Sequence, residues 1–134
     1  MRSTLDHLRS YSIVVADTAD IDAIARFSPV DATTNPSLVL KQAAAPETKS
    51  RIAHSKARLA LGELKTVEDA AMDLAVQLGA EISKVSPGYV STEVDARLSF
   101  DTEATVAKAR ELIQLYEEAG TDRSRVLIKI ASTW

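Results

Sequence analysis

Residues 126–130 read VLIKI, a short run of branched apolar side chains interrupted by one lysine, Lys129. Runs of this length and composition are typical of buried β-strands. Comparable runs occur at residues 13–16 (IVVA) and 89–94 (YVSTEV), and a shorter one at 32–34 (ATT). Longer stretches with helical spacing separate them. This alternation predicts right-handed crossovers and an α/β fold with a parallel sheet.

The helices are predicted from their first and last residues. Asn35 and Pro36 favour a helix start, because Asn suits the N-cap and Pro suits the first helical position. Thr66 and Asp69 have the spacing of a capping box before a long apolar stripe of period 3.6. The stripe comprises Val67, Ala70, Ala71, Leu74, Leu78, Ile82 and Val85. Gly120 is typical of a helix end. The strands are therefore separated by well-delimited helices.

Composition excludes several classes of protein. The net charge is −3 over 134 residues. The chain therefore lacks the excess of basic residues that binds nucleic-acid phosphates, which argues against a nucleic-acid-binding protein. The absence of cysteine excludes a disulfide scaffold, a thiolate metal site and a cysteine nucleophile. His54 has no partner at metal-ligand spacing and is expected on the surface. Without a membrane-length apolar run or a secretory signal, residues 1–134 are expected to form one cytoplasmic domain.

Polar side chains interrupt the predicted strands, although parallel strands covered on both faces are normally apolar. They are Asp17, Thr33, Asn35, Glu93 and Lys129. Side chains alternate along a strand, so these groups can share one face near the strand ends. Unpaired and buried, each would be costly, so they must form a network or serve a reaction. Active sites of parallel α/β folds lie at the carboxyl ends of the strands.

A lysine in an apolar strand at such a site suggests Schiff-base catalysis. Its amine must be neutral to attack a ketone; desolvation favours the neutral form and nearby carboxylates oppose it. We therefore expect the carboxylates to be set back from the nitrogen, with Glu93 acting as a general acid/base through a water molecule. Asp17 is the candidate for moving the proton of the hydroxyl whose deprotonation breaks a carbon–carbon bond. Asn35 and Thr33 are candidates for holding substrate hydroxyls.

Each candidate also has a structural explanation. Asn35 can be only an N-cap, and Asp17 can be a turn or cap residue. Glu93 can belong to a surface charge cluster with the charged residues that follow it. Lys129 can protect an edge strand from pairing with another chain. Taken singly, these residues do not decide the function.

Four segments together resemble the transaldolases. Residues 31–39 (DATTNPSLV) resemble the first signature of that family, and residues 126–134 (VLIKIASTW) resemble the start of the second. Residues 14–18 (VVADT) and 91–98 (STEVDARL) also resemble stretches of the bacterial enzymes. The four segments occur in the family's order and span almost the whole chain.

The resemblance implies a (β/α)8 TIM barrel, of which this chain supplies about the first four units. It implies that Lys129 forms the imine, that Asp17 is the acid/base of aldol cleavage, and that Glu93 acts through water. It places Asn35 and Thr33 in the substrate site. The family transfers a dihydroxyacetone unit from sedoheptulose 7-phosphate to glyceraldehyde 3-phosphate, giving erythrose 4-phosphate and fructose 6-phosphate, in the non-oxidative pentose phosphate pathway. It uses neither a metal nor an organic cofactor.

The chain departs from the family in its length. A barrel of this kind needs about 250 residues, and the second signature stops at Trp134. Phosphate-binding residues are expected beyond that point. The chain is expected to be a fragment of a longer product, a truncated or cleaved form, or a natural short protein.

A four-stranded sheet would have two open edges, the first and the fourth strand, and an apolar face uncovered on one side. We therefore expect self-association or pairing with a missing C-terminal half. The alternative function is a non-catalytic half-barrel that serves only in assembly or interaction.

Overall fold

A computed structural model describes residues 3–131, and Ser132, Thr133 and Trp134 of the second signature lie outside them. The α-helices are α1 (Thr4–Arg9), α2 (Ile21–Phe27), α3 (Pro36–Ala43), α4 (Lys49–Ala60), α5 (Val67–Val85) and α6 (Thr102–Glu118). The strands are β1 (Val15–Asp17), β2 (Asp31–Thr33), β3 (Val90–Glu93) and β4 (Val126–Lys129). All neighbouring strands are parallel, in the order β1-β2-β3-β4. The predicted α/β alternation is confirmed.

The helices begin at the predicted capping residues. Asn35 Oδ1 accepts a hydrogen bond from the Leu38 N–H at 2.9 Å, at the start of α3. Thr66 and Asp69 exchange side-chain and backbone hydrogen bonds in a capping box before α5. Gly120, with φ 83°, follows α6 in the left-handed conformation that suits glycine. These bonds satisfy amide groups that have no partner within the helix.

The ends of the strands differ from the prediction by at most two residues. β1 was expected over residues 13–16 but runs from Val15 to Asp17, and Ile13 is 67% exposed. The Val30 N–H still donates to the Val14 carbonyl at 2.9 Å. Pairing stops before Val30, because Pro29 has no N–H and Ser28 ends α2 with φ 45°. β2 lies one residue earlier than expected, β3 is shorter at both ends, and β4 ends at Lys129 rather than Ile130.

One face of the sheet packs against the helices. Ala32, Val90 and Val126 are neighbours in register and are no more than 7% exposed. The core comprises Ile24, Ala32, Val76, Ile82, Val90, Val94, Leu112, Tyr116 and Val126. α5 contacts α2, α4, α6 and β3, so it is the central helix of this layer. The packing of α5 in this layer holds in place the strands whose carboxyl ends carry the candidate site.

The opposite face carries both polar and apolar side chains and is open within residues 3–131. Asp17, Thr33, Ser91 and Leu127 form a row across it in register. Leu127 is 49% exposed and Val15 is 50% exposed. β1 and β4 each have one neighbouring strand in the described sheet. The expected open edges and uncovered face are confirmed for this part of the chain.

A buried polar cluster joins α4 to α5. Asp73 is 6% exposed and accepts hydrogen bonds from Ser55 Oγ at 2.6 Å and from Gln77 Nε2 at 2.7 Å. Its second oxygen pairs with the Arg58 guanidinium. Arg58 also donates to Glu63 at 3.0 Å, and the Glu63 and Asp73 carboxylates raise its pKa above the ordinary value. The cluster is fully satisfied and fixes the two helices relative to each other.

Two further expectations concern the helices. His54 is exposed on α4, as predicted. No helix within residues 3–131 combines the length and the hydropathy needed to cross a bilayer.

Candidate active site

The carboxyl ends of the four strands bring the candidate residues to one edge of the open face. Asp17 ends β1 and lies beside Thr33, the last residue of β2. Glu93 and Lys129 end β3 and β4 and are partners in register. Asn35 follows β2 by two residues and begins α3. Parallel strands align their carboxyl ends, which is why residues far apart in sequence meet here.

Lys129 and Glu93 are in direct contact. Lys129 Nζ lies 3.3 Å from Glu93 Oε2, and the two side chains are 39% and 16% exposed. We had expected a water molecule between them, but register partners share a face and their opposite charges draw the side chains together. At this distance the carboxylate can take a proton from the ammonium and return it. The pair therefore has the geometry of a nucleophile with its own proton acceptor.

Glu93 is separate from the charge cluster that was its alternative explanation. The neighbouring Asp95 and Arg97 form their own pair, with Arg97 Nε 2.8 Å from Asp95 Oδ2. Hydrogen bonds from the Arg97 side chain and N–H hold the pKa of Asp95 below its ordinary value. The carboxylate of Glu93 instead faces Lys129. Of these three charged residues, Asp95 and Arg97 fit the description of a surface cluster and Glu93 does not.

Asn35 combines its two suggested roles. Its Oδ1 accepts the capping bond from the Leu38 N–H. Within the described residues the cap engages the oxygen alone, so the amide remains able to donate to a ligand. The N-cap and substrate-binding explanations are therefore compatible.

Asp17 is not brought to Lys129. The two residues lie on β1 and β4, at opposite edges of the sheet, and form no ion pair among the described residues. Asp17 is exposed and Thr33 beside it is half-buried. Asp17 would approach the Lys129 amine only if the sheet curved further, as it does in a closed barrel. The structure thus assembles two subsets of the site, Glu93 with Lys129 and Asp17 with Thr33.

Sequence reasoning missed a set of hydroxyls directly behind these residues. Thr34 and Thr92 are 1% and 2% exposed, their hydroxyls are hydrogen-bonded to each other, and that of Thr92 is also hydrogen-bonded to Tyr116 OH. Burial raises the pKa of Tyr116 to about 12, so its hydroxyl stays protonated at neutral pH. The feature of the sequence that could have indicated these hydroxyls is the presence of two threonines at positions of β2 and β3 that face the helices, where aliphatic residues are usual.

Comparison with known proteins places the chain in a family. Residues 14–134 match the family model described as Transaldolase/Fructose-6-phosphate aldolase. The chain is 55% identical over 137 aligned positions to a transaldolase of Shewanella sp. (strain ANA-3) and 57% identical to that of Shewanella amazonensis. Both alignments cover all of this chain and 43% of the relative, so the chain spans less than half the length of these relatives. The chain belongs to the transaldolase/fructose-6-phosphate aldolase family.

Proposed function

We propose that this chain carries the imine-forming part of a transaldolase site, which moves a dihydroxyacetone unit between sugar phosphates through a Schiff base on Lys129. The observation that supports this most is the 3.3 Å contact of the Lys129 amine with the Glu93 carboxylate at the strand ends. The family match supports the reaction class. We extend the proposal to a cytoplasmic role in the non-oxidative pentose phosphate pathway.

The proposed reaction begins with a proton transfer within this pair. The Lys129 ammonium gives a proton to Glu93, and the neutral amine attacks the keto carbon of the sugar phosphate. Glu93 then protonates the departing hydroxyl of the carbinolamine, which leaves as water as the imine forms. One proton therefore activates the nucleophile and then assists the dehydration.

Carbon–carbon cleavage is assigned to Asp17. Its carboxylate takes the proton of the C4 hydroxyl, the C3–C4 bond breaks, and the electron pair moves into the imine to give an enamine and a free aldehyde. Attack of the enamine on an acceptor aldehyde reverses these steps. Since Asp17 lies on the far edge strand, cleavage depends on closure of the sheet more than imine formation does. Thr33 and Asn35 hold substrate hydroxyls.

Reductive trapping tests the proposal. Fructose 6-phosphate and borohydride are added to the chain after circular dichroism has shown that it is folded. Hydride adds to the imine carbon and leaves a stable secondary amine, so we expect a mass increment located on Lys129 in the peptide map. A folded chain that gains no adduct would instead favour the non-catalytic half-barrel.

The role of Asn35 can be separated from its cap by substitution. Asn35→Asp keeps the oxygen that caps α3 but lacks the amide donor, whereas Asn35→Ala loses both. We expect Asn35→Ala to lower the free energy of unfolding by about 1 kcal/mol and Asn35→Asp to leave it nearly unchanged in urea titrations. Trapping should slow about tenfold in both variants, as expected for the loss of one hydrogen bond to the substrate. If Asn35→Asp were trapped at the wild-type rate, Asn35 would have no role in substrate binding and would only cap α3.

The uncovered sheet face supports a partner, which we propose is a second copy or a C-terminal half of the barrel. The accessible surface is 8654 Å², about 1,800 Å² more than a compact monomer of this mass exposes. A standard interface buries about 800 Å² per partner. The excess surface is therefore large enough for a stable assembly.

Light scattering tests this second proposal. At micromolar concentration we expect a molar mass above the 14.5 kDa of one chain, and we expect Leu127→Lys to shift the mass toward the monomer. Asn35→Asp, which alters no apolar side chain, is the control. A monodisperse wild-type monomer would contradict the proposal.

A further inference from the structure

Three buried hydroxyls connect α6 to the ends of β2 and β3. Tyr116 OH lies 2.5 Å from Thr92 Oγ1, and Thr92 Oγ1 lies 3.3 Å from Thr34 Oγ1. Thr34 Oγ1 in turn donates to the Ser91 carbonyl at 3.0 Å. The three side chains are no more than 2% exposed. We call this series the hydroxyl chain.

The direction of the hydroxyl chain follows from proton counting. The Ser91 carbonyl can only accept, so it takes the single hydroxyl proton of Thr34. Thr34 must then accept from Thr92, and Thr92 must accept from Tyr116. The phenol therefore donates at the head of the chain, and its pKa of about 12 keeps that proton in place at neutral pH. Each hydroxyl has one defined orientation.

The hydroxyl chain lies on the reverse side of the candidate site. Thr92 stands between Ser91 and Glu93 on β3, and Thr34 immediately precedes Asn35. Since side chains alternate along a strand, fixing Thr92 against Tyr116 fixes the neighbouring Glu93 on the opposite face. Fixing Thr34 does the same for Asn35.

Gly79 supplies the space for the phenol. A Cβ built on Gly79 of α5 would lie 1.8 Å from Tyr116 OH and 2.7 Å from its ring carbon Cζ. The helix therefore approaches the ring so closely that the hydroxyl has one available position. Tyr116, with no exposed surface, is held by α5 on one side and Thr92 on the other.

We propose that Tyr116, Thr92 and Thr34 are positioning residues for imine formation, because they set the place of Glu93 relative to Lys129 and of Asn35 relative to the substrate. This inference rests on the proposed function. It assigns no contact with substrate to the three hydroxyls. Their effect passes through the backbone of β2 and β3.

Thr92→Val tests the inference, because valine has nearly the same shape and lacks the hydroxyl. Thr48→Val is the matched control, since Thr48 has no exposed surface and its hydroxyl has no hydrogen-bond partner within the described residues. Under conditions where all variants are folded, we expect borohydride trapping at saturating fructose 6-phosphate to slow about tenfold in Thr92→Val. Thr92→Ser should restore the rate and Thr48→Val should leave it unchanged. Equal rates in Thr92→Val and wild type would overturn the inference.

A second measurement keeps the inference separate from the proposed function. Acetic anhydride acylates amines that are accessible and not held by another group, and in the wild type the contact of Lys129 Nζ with Glu93 Oε2 at 3.3 Å holds this amine in place. In Thr92→Val we expect Lys129 to be acylated at least about twofold faster relative to the surface Lys84, because Glu93 is displaced. If wild type gives no imine adduct, the proposed function fails, and acylation alone decides the positioning role. An unchanged ratio in Thr92→Val then rejects it.

Tyr116→Phe covers the case in which Thr92→Val does not fold. It removes only the donor at the head of the hydroxyl chain and keeps the ring in the core. We expect the same two changes, each smaller than in Thr92→Val. Wild-type trapping and acylation in Tyr116→Phe would contradict the inference in that case.

Discussion

Replacing Lys129 with arginine is expected to abolish the borohydride-trapped adduct with fructose 6-phosphate. Arginine keeps a positive charge beside Glu93, so the ion pair that closes the β3–β4 end is retained. Its guanidinium stays protonated at any working pH and cannot form the imine. Intact-mass measurement after reduction, with circular dichroism to show folding, gives the result directly. The loss should be complete because no second group in the mechanism supplies the covalent bond.

A matched substitution controls for the change from lysine to arginine. Lys84 is 64% exposed and pairs with Glu81 at 2.7 Å on the surface of α5, far from the strand ends. Lys84→Arg should give the wild-type adduct at the wild-type rate. An adduct in Lys129→Arg at a comparable rate would place the nucleophile elsewhere and end the proposed mechanism.

The fold was largely predictable because its signals are local. Capping residues such as Asn35 and Thr66 are found where the helices begin, since each satisfies amide groups within the next three residues. The ends of the strands were less predictable, because they depend on the neighbouring strand. Residues 13 and 14 have the composition of a strand, yet β1 begins at Val15, where the ladder with Asp31 begins.

The candidate site was predictable as a set of residues but not as a geometry. Period-two alternation placed Glu93 and Lys129 on a common face, but only the register makes them partners and brings their charges into contact. The strand order places Asp17 on β1 and Lys129 on β4, at opposite edges of the sheet. The spacing of the motifs along the sequence does not predict this separation. The hydroxyl chain required knowing that Tyr116 of α6 meets β3. Such contacts between distant segments have no signature in a single sequence.

The long helix α5 illustrates the same limit. Its apolar period predicted a stripe that includes Val67 and Val85, which are 71% and 37% exposed. Asp73 and Gly79 are buried instead, at 6% for the carboxylate and in contact with Tyr116 for the glycine. The helix packs against elements on several sides, so its buried surface is wider than one stripe. The charge of Asp73 can be buried there because Ser55 and Arg58 of α4 and Gln77 of α5 itself all pair with it.

Asp73→Ala is therefore expected to destabilise the chain more than any substitution on its exposed surface. Removal of the carboxylate takes one acceptor from Ser55 and one from Gln77, and it leaves Arg58 without its buried counter-charge. Breaking a buried ion pair from one side costs about 3–5 kcal/mol. We expect about 3 kcal/mol, because Arg58 is 29% exposed and can be partly hydrated. Urea titration followed by circular dichroism measures the change.

Two further variants show whether the charge or the hydrogen bonds dominate. Asp73→Asn keeps an oxygen for Ser55 but removes the charge opposite Arg58, so its loss should lie between that of Asp73→Ala and zero. Asp22→Ala, at an exposed position of α2, should change the free energy of unfolding by less than about 1 kcal/mol. If Asp73→Ala were no more destabilising than Asp22→Ala, the cluster would not be what holds α4 on α5. Because the pair is largely shielded from solvent, added salt should not erase the difference between the two variants.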